Sequence, residues 1–196
     1  MRSLMKKLRK QKTKKLMIIG YNVFRMSLLK LFHPKSIKVG LVQNIHPSTE
    51  IAISNGHIQL ENSIFTRRNV SFRVELGTLK VGTSFFNQGC SITAMKNIVI
   101  GNDCLFGPNV VIVDHDHDYA YQNNLRGLHY LKDDVIIGNN VWVGANSTIL
   151  RGTVLPDNCV VAANTVVKGK YEEGALIANE KTLKVKKINF LKAKSL

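Results

Sequence analysis

Five aliphatic residues stand six apart without a break: Ile137, Val143, Ile149, Leu155 and Val161. Each opens a hexapeptide of one character, in order IGNNVW, VGANST, ILRGTV, LPDNCV and VAANTV. Six is neither the period of a helix nor the two-residue alternation of a simple sheet. A chain in this register turns one aliphatic side chain inward, runs a short strand, rounds a corner and repeats. So short a repeat predicts an all-β solenoid, whose coils bury a core only by stacking on one another. The phase continues upstream at Ile100, Phe106 and Ile112, at Val81, at Leu60 and Phe72, and at Ile45 and Ile51. At three hexapeptides per triangular coil, this stretch predicts about seven coils.

The fifth position of the repeat is small or β-branched: Cys104, Val110, Val141, Ser147, Thr153, Cys159 and Thr165. Such side chains suit a pleated wall or a tight corner. Gly101, Asn102, Gly138, Asn139, Asn140, Gly144, Asn146 and Asn158 are expected to supply positive φ at the corners. The register breaks longest at about residues 114–133, predicting an insertion loop there.

Charge divides the chain into three. The formal net charge is +15, but the acids begin only at Glu50. Residues 1–40 are basic, 173–196 form a second basic tail, and the intervening 41–172 is the expected solenoid domain. The N-terminal segment reads as helix. Its longest uncharged run, Leu16 to Phe24, is too short to span a bilayer, and it lacks a small-residue cleavage site for secretion. A basic cap on the solenoid's open end and a cationic helix on an anionic membrane surface both fit it. Nucleic acid is not expected, because no reader motif or aromatic interleaving accompanies the lysines. Cys90, Cys104 and Cys159 are odd in number and form no CxxC pair, which predicts buried, reduced thiols in a cytoplasmic protein.

These hexapeptides, with NNVWVGANSTIL as their clearest stretch, resemble the hexapeptide-repeat acyltransferases. Within them the sequence is most similar to the maltose and galactoside O-acetyltransferases and their capsule and lipopolysaccharide O-acetyltransferase relatives, over about residues 76–170. The resemblance implies a left-handed parallel β-helix, an exception to the right-handed crossover preference. It also implies a homotrimer with active sites between subunits, acetyl-CoA as donor and no required metal. The expected activity is acetyl transfer to a sugar hydroxyl of a surface glycan or its precursor. An amino sugar, serine or antibiotic acceptor, or a non-catalytic scaffold, stand as alternatives.

PNVVIVDHDHDY, Pro108 to Tyr119, carries the implied catalytic histidine. By resemblance His117 is the general base, with His115 in reserve. A neutral imidazole can take a hydroxyl proton as the oxygen attacks a thioester, then return it to the departing thiolate. No nucleophilic Ser or Cys is needed. Asp114, Asp116 and Asp118 are all near enough in sequence to hold the ring, and the sequence does not choose among them. His-x-His between acids also has the residue types of a metal site, with His129 as the nearest third ligand.

FFNQGCSI resembles the segment with an acceptor-site amide, making Asn87 the match and Gln88 its neighbour alternative. Trp142 matches a tryptophan beside the pantetheine arm. Ala145, Ala163 and Lys168 match further CoA contacts, and Lys170, Lys184 and Lys187 are other candidates for its phosphates. Arg126, His129 and Tyr130 in the insertion are candidates to touch a sugar. The C-terminal text IANEKTLKVKK departs from the family by lacking a proline.

Overall fold

A computed structural model describes residues 2–40, 43–61, 63–120 and 129–179. It shows a parallel β-solenoid capped by one helix, α1 (Arg2–Phe32). Three walls run its length. The first stacks the start of the long strand Ser71–Val81 on Ser91–Ala94, Val111–Val113, Thr148–Ile149 and Val166–Val167. The second stacks Ile37–Val39, the ends of Glu50–Leu60 and Ser71–Val81, Asn97–Ile100, Val135–Ile137 and Val154–Leu155. The third is a six-stranded sheet of Phe65–Thr66, Phe85–Phe86, Leu105–Phe106, Trp142–Val143, Val160–Val161 and Leu176–Ile177. Every pairing in the walls is parallel, as in the left-handed β-helix that the resemblance implies.

The six strands of the third wall mark about six coils, not seven. The difference lies upstream of the clean register. Inward residues on the third wall fall at Thr66, Phe86, Phe106, Val143 and Val161. The early coils thus take twenty residues, the coil that carries the insertion takes thirty-seven, the next takes eighteen, and the last, ending at Ile177, takes sixteen. The extra residues lie at the corner between the first and second walls, where Glu50–Leu60 and Ser71–Val81 continue as single strands. Gly56 pairs with Gly77 at that bend. A side chain on Gly77 would run into the Lys96 carbonyl, and its φ is +70°, so only glycine fits both constraints. Solenoid pairing reaches from Ile37 to Ile177, a few residues beyond 41–172 at each end.

The sixth-residue register is the core. Ile137, Val143, Ile149, Leu155 and Val161 are all buried, as are Cys104, Val110, Val141, Ser147, Thr153, Cys159 and Thr165. Upstream, Phe86 stacks on Phe106 with ring centroids 4.7 Å apart, and Phe72 meets Phe86 edge-on at 5.1 Å. Each buried phenylalanine contributes about 1.5–3 kcal/mol through area alone. Ile51, in phase by sequence, is only partly buried.

The corners divide their labour differently from expectation. Asn140, Asn146 and Asn158 do take positive φ, between 53° and 63°. Gly101, Gly138 and Gly144 do not. A Cβ on Gly101 would stand 2.5 Å from the Gly138 carbonyl oxygen, and one on Gly144 2.5 Å from the Ala163 nitrogen. These glycines are needed because adjacent coils touch there. Asn102 and Asn139 form a ladder instead: the Thr83 N–H donates to Asn102 Oδ1 at 2.9 Å, the Asn102 N–H to Asn139 Oδ1 at 2.9 Å, and the Asn139 N–H to Asp157 Oδ1 at 2.7 Å. Coil-to-coil side-chain hydrogen bonds satisfy corner amides that wall pairing cannot reach.

Helix α1 closes the first coil. Met26 joins the hydrophobic core, and Asn22 Nδ2 donates to the Ile45 carbonyl at 2.8 Å. Arg25 donates to the Thr49 carbonyl. The expected cap is therefore present. No described helix is long and apolar enough to cross a membrane.

Candidate functional site

The first wall ends at Val113 and delivers the chain into DHDHD. Asp114 is fully buried at that corner. Its Oδ1 accepts the Met95 N–H at 2.8 Å, and its Oδ2 accepts the Lys96 N–H at 2.7 Å. Oδ1 also lies 3.2 Å from His115 Nδ1. Burial pushes the Asp114 carboxyl upward, but the hydrogen bonds from His115, Met95 and Lys96 outweigh it and hold the group below the usual carboxylate range. The Asp114 carbonyl accepts the Asp133 N–H at 2.9 Å, so the insertion leaves and returns at one point.

Between those anchors His115–His117 pairs antiparallel with Tyr130–Lys132. The His115 ring is mostly buried and held by Asp114. The His117 ring is exposed and lies against Tyr130, ring centroids 4.7 Å apart. Tyr130 also meets His115 edge-on at 5.7 Å. Of the three aspartates, Asp114 holds His115 and Asp118 Oδ1 accepts the Ala120 N–H. Asp116 faces another group: its Oδ2 accepts Arg151 Nε at 2.7 Å and lies 3.9 Å from Lys168 Nζ. Arg151 belongs to none of the motifs that mark the site in the sequence. Its signal was a cation at the corner position of the coil stacked beside an acidic run.

A groove of about 520 Å³ opens beside Tyr130. Its walls include Asn55, Arg73, Glu75, Met95, Tyr130 and Lys132. A tyrosine among amide, carboxylate, cationic and aliphatic side chains supplies the residue types that can pack on a sugar ring and bond its hydroxyls.

Three of the candidate donor residues gather elsewhere. Trp142 points outward from the third wall, 55 % exposed, and Ala145 and Ala163 follow at the corner leading to the first wall. Asn87 lies at the same corner on an earlier coil, with its Oδ1 accepting the Gln88 N–H at 2.9 Å. The histidines and Lys168 instead occupy the corner between the first and second walls. One chain therefore places the histidines with Lys168, places Asn87, Trp142, Ala145 and Ala163 together, and sets a whole wall between the two groups. Arg126, Lys184 and Lys187 lie outside the described residues.

Among the described residues no group of three or more His, Cys, Asp or Glu is arranged to hold a metal ion. The three thiols are buried, each donating to a carbonyl of the next coil: Cys90 to Gly107 at 3.1 Å, Cys104 to Gly138 at 3.1 Å and Cys159 to Glu172 at 3.3 Å. Burial pushes the Cys90 thiol up to about 11 and raises Cys104 as well. A thiol so held is a poor nucleophile. An aromatic disulfide reagent at neutral pH should thus label all three only on denaturation. Rapid labelling of any one in the folded protein would contradict this packing.

The profile of the family described as "Hexapeptide repeat of succinyl-transferase" matches residues 134–168. The chain is 32% identical over 111 residues to WbbJ of Escherichia coli K12, a protein named for lipopolysaccharide biosynthesis O-acetyl transfer; the match covers 53% of this chain and 57% of that one. It is 30% identical over 109 residues to the galactoside O-acetyltransferase of Lactococcus lactis, covering 55% and 52%. It is 27% identical over 112 residues to the galactoside O-acetyltransferase of Escherichia coli K12, covering 57% and 55%. The chain thus spans a little over half the length of these curated relatives. No solved structure matches it.

Proposed function

We propose that this chain, a member of the hexapeptide-repeat acetyltransferase family, moves an acetyl group from acetyl-CoA to a sugar hydroxyl of a surface glycan or its precursor. The observation that carries the reading is the exposed His117 ring, packed on Tyr130, which lines a groove of mixed apolar and polar side chains. His117 takes the proton of the acceptor hydroxyl as its oxygen attacks the thioester carbonyl. The new C–O bond forms, the C–S bond breaks, and the imidazolium returns the proton to the CoA thiolate. Asn87 supplies an amide N–H toward the developing oxyanion. Trp142 walls the pantetheine arm, Ala145 and Ala163 offer backbone contact, and Lys168 meets a CoA phosphate. The test is thiol release from acetyl-CoA across a panel of neutral sugars, amino sugars and serine. Turnover confined to amino sugars or serine would reject the hydroxyl-of-sugar assignment.

The split between corners supports sites built between chains of a homotrimer. The base corner of one copy would then face the tryptophan corner of the next. The outward column Phe65, Phe85, Leu105, Trp142, Val160 and Leu176 gives the third wall an apolar surface suited to such contact; Leu105 is 52 % and Leu176 74 % exposed. Trp142→Ala should raise the KM for acetyl-CoA about tenfold, the equivalent of about 1.4 kcal/mol. With acetyl-CoA held well below its KM, trimers reassembled from equal amounts of His117→Ala and Trp142→Ala chains should recover unaltered kcat/KM at about a quarter of the sites, since each site draws one corner from each neighbour. Zero recovery from such mixed trimers would show that each chain carries its own complete site.

A further inference from the structure

Helix α1 carries two apolar stripes, and the solenoid uses one. Asn22, Met26 and Leu29 face the first coil, where Met26 and Asn22 are fully buried and Leu29 packs on the core. A second series, Met17, Tyr21, Phe24, Leu28 and Leu31, is exposed, as is Phe32 beside it. Its members step by four, three, four and three residues, which keeps them within about 80° of arc on a helix of 100° per residue. The centre of this series lies about 150° round from the centre of the packed one. It is not a scatter of surface leucines: Met17 is 74 %, Phe24 63 % and Leu31 72 % exposed. A contiguous apolar face of this kind marks a contact surface.

Charge says what covers it. The sequence directly before the stripe holds Arg2, Lys6, Lys7, Arg9, Lys10, Lys12, Lys14 and Lys15, with no acid before Glu50. A second copy of the helix laid alongside in parallel would bring these cations against their own kind. A surface of anionic headgroups would neutralise them while its acyl boundary received Met17, Phe24 and Leu31. Basic residues in series with an apolar face are the two terms of interfacial helix binding. The α1 span of 31 residues forms a rod of about 46 Å, long enough to lie along a membrane over its whole apolar stripe.

We infer that the outer stripe of α1 docks on an anionic lipid surface, with the helix lying between that surface and the first coil. The solenoid is then held off the membrane by the very helix that caps it. This inference does not depend on acetyl transfer.

Co-sedimentation of the full chain with large vesicles tests it, using phosphatidylcholine alone and phosphatidylcholine with phosphatidylglycerol. The full chain should bind the anionic vesicles at least about tenfold more tightly than the neutral ones, and salt should weaken the binding. The triple variant Met17→Glu, Phe24→Glu, Leu31→Glu should lose at least about tenfold in vesicle affinity while keeping its melting temperature, oligomeric state and turnover on a soluble acceptor. If the triple variant melts lower, Phe24→Ser alone should still show a severalfold loss. Equal binding to both vesicle types, or unchanged binding by Phe24→Ser and the triple variant, overturns the inference. So does a stripe variant that breaks an oligomer while the unaltered chain ignores vesicles, which would make the stripe an interface between copies. Vesicle binding without any turnover would reject the transfer reading alone.

Discussion

His117→Ala is expected to lower turnover of acetyl-CoA by about 10²–10⁴, the range a positioned general base supplies. The fall should appear in kcat, with the KM for acetyl-CoA little changed, because Trp142, Ala145 and Ala163 occupy another corner and the His117 ring makes no contact with Lys168 in this chain. Little of the fold depends on this ring. It is exposed and rests on Tyr130, so circular dichroism and the melting temperature should match the unaltered protein. His115→Ala is the necessary companion. That ring is mostly buried and held by Asp114, so its removal should act mainly through the hairpin, with loss of stability and a smaller loss of rate. An alcohol that must shed its proton needs a base it can reach, and the exposed ring meets that need better than the tethered one. Should His117→Ala retain full rate while His115→Ala abolishes it in a folded protein, the base is His115 and Asp114 its orienting carboxylate.

The six-residue register gave away the architecture because it is a packing rule. Ile137 to Val161 had to be inside if the chain coiled at all, and every one of them is buried. The number of coils was less legible. Nothing in the hexapeptide text announces that Ser71–Val81 bends across a corner as one strand, because its extra residues pair with a neighbour, Glu50–Leu60, that bends at the same place. The corner glycines mislead for a related reason. Gly101 and Gly144 look like turn residues, yet their need comes from the next coil's backbone, about twenty or more residues away in sequence.

At the candidate site, residue types were legible and partners were not. Three aspartates beside two histidines leave the pairing open, since local spacing is identical for several choices. The choice is made by the preceding coil, whose Met95 and Lys96 N–H groups seize Asp114, and by Arg151, which draws Asp116 away. Both partners are distant in sequence and carry no motif. Wall membership was equally hidden: Trp142 and His117 each lie in a clear motif, but only the strand pairing reveals that they flank opposite edges of the first wall.

Asp114 anchors that corner, and its loss should destabilise the protein more than any other polar substitution at the site. The carboxylate is fully buried and accepts two backbone N–H groups and the His115 ring. Hydrogen bonds to a charged group are worth about 1.5–3 kcal/mol each, and a buried donor left bare costs about 1–3 kcal/mol. Asp114→Ala strips all of these at once, and partial rescue by water leaves an expected net loss of about 3 kcal/mol. For a chain of this size that is a fall in melting temperature of roughly 6–12 °C. Asp114→Asn keeps the shape but turns one acceptor into a donor facing a backbone N–H, so it should recover only part of the loss. The pH dependence separates charge from shape. The folded-state pKa of Asp114 lies below its ordinary value near 4, so its charge contributes stability that is fully present above that unfolded value. The contribution is lost as pH falls through the lower folded-state pKa. The stability gap between the unaltered protein and Asp114→Asn should therefore be flat from about pH 7 to pH 5 and narrow only below about pH 4. A gap constant down to the acid transition would mean that the carboxylate acts there by shape alone. Asp114→Ala melting within a degree of the unaltered protein would show that the hairpin's foot is held by something else.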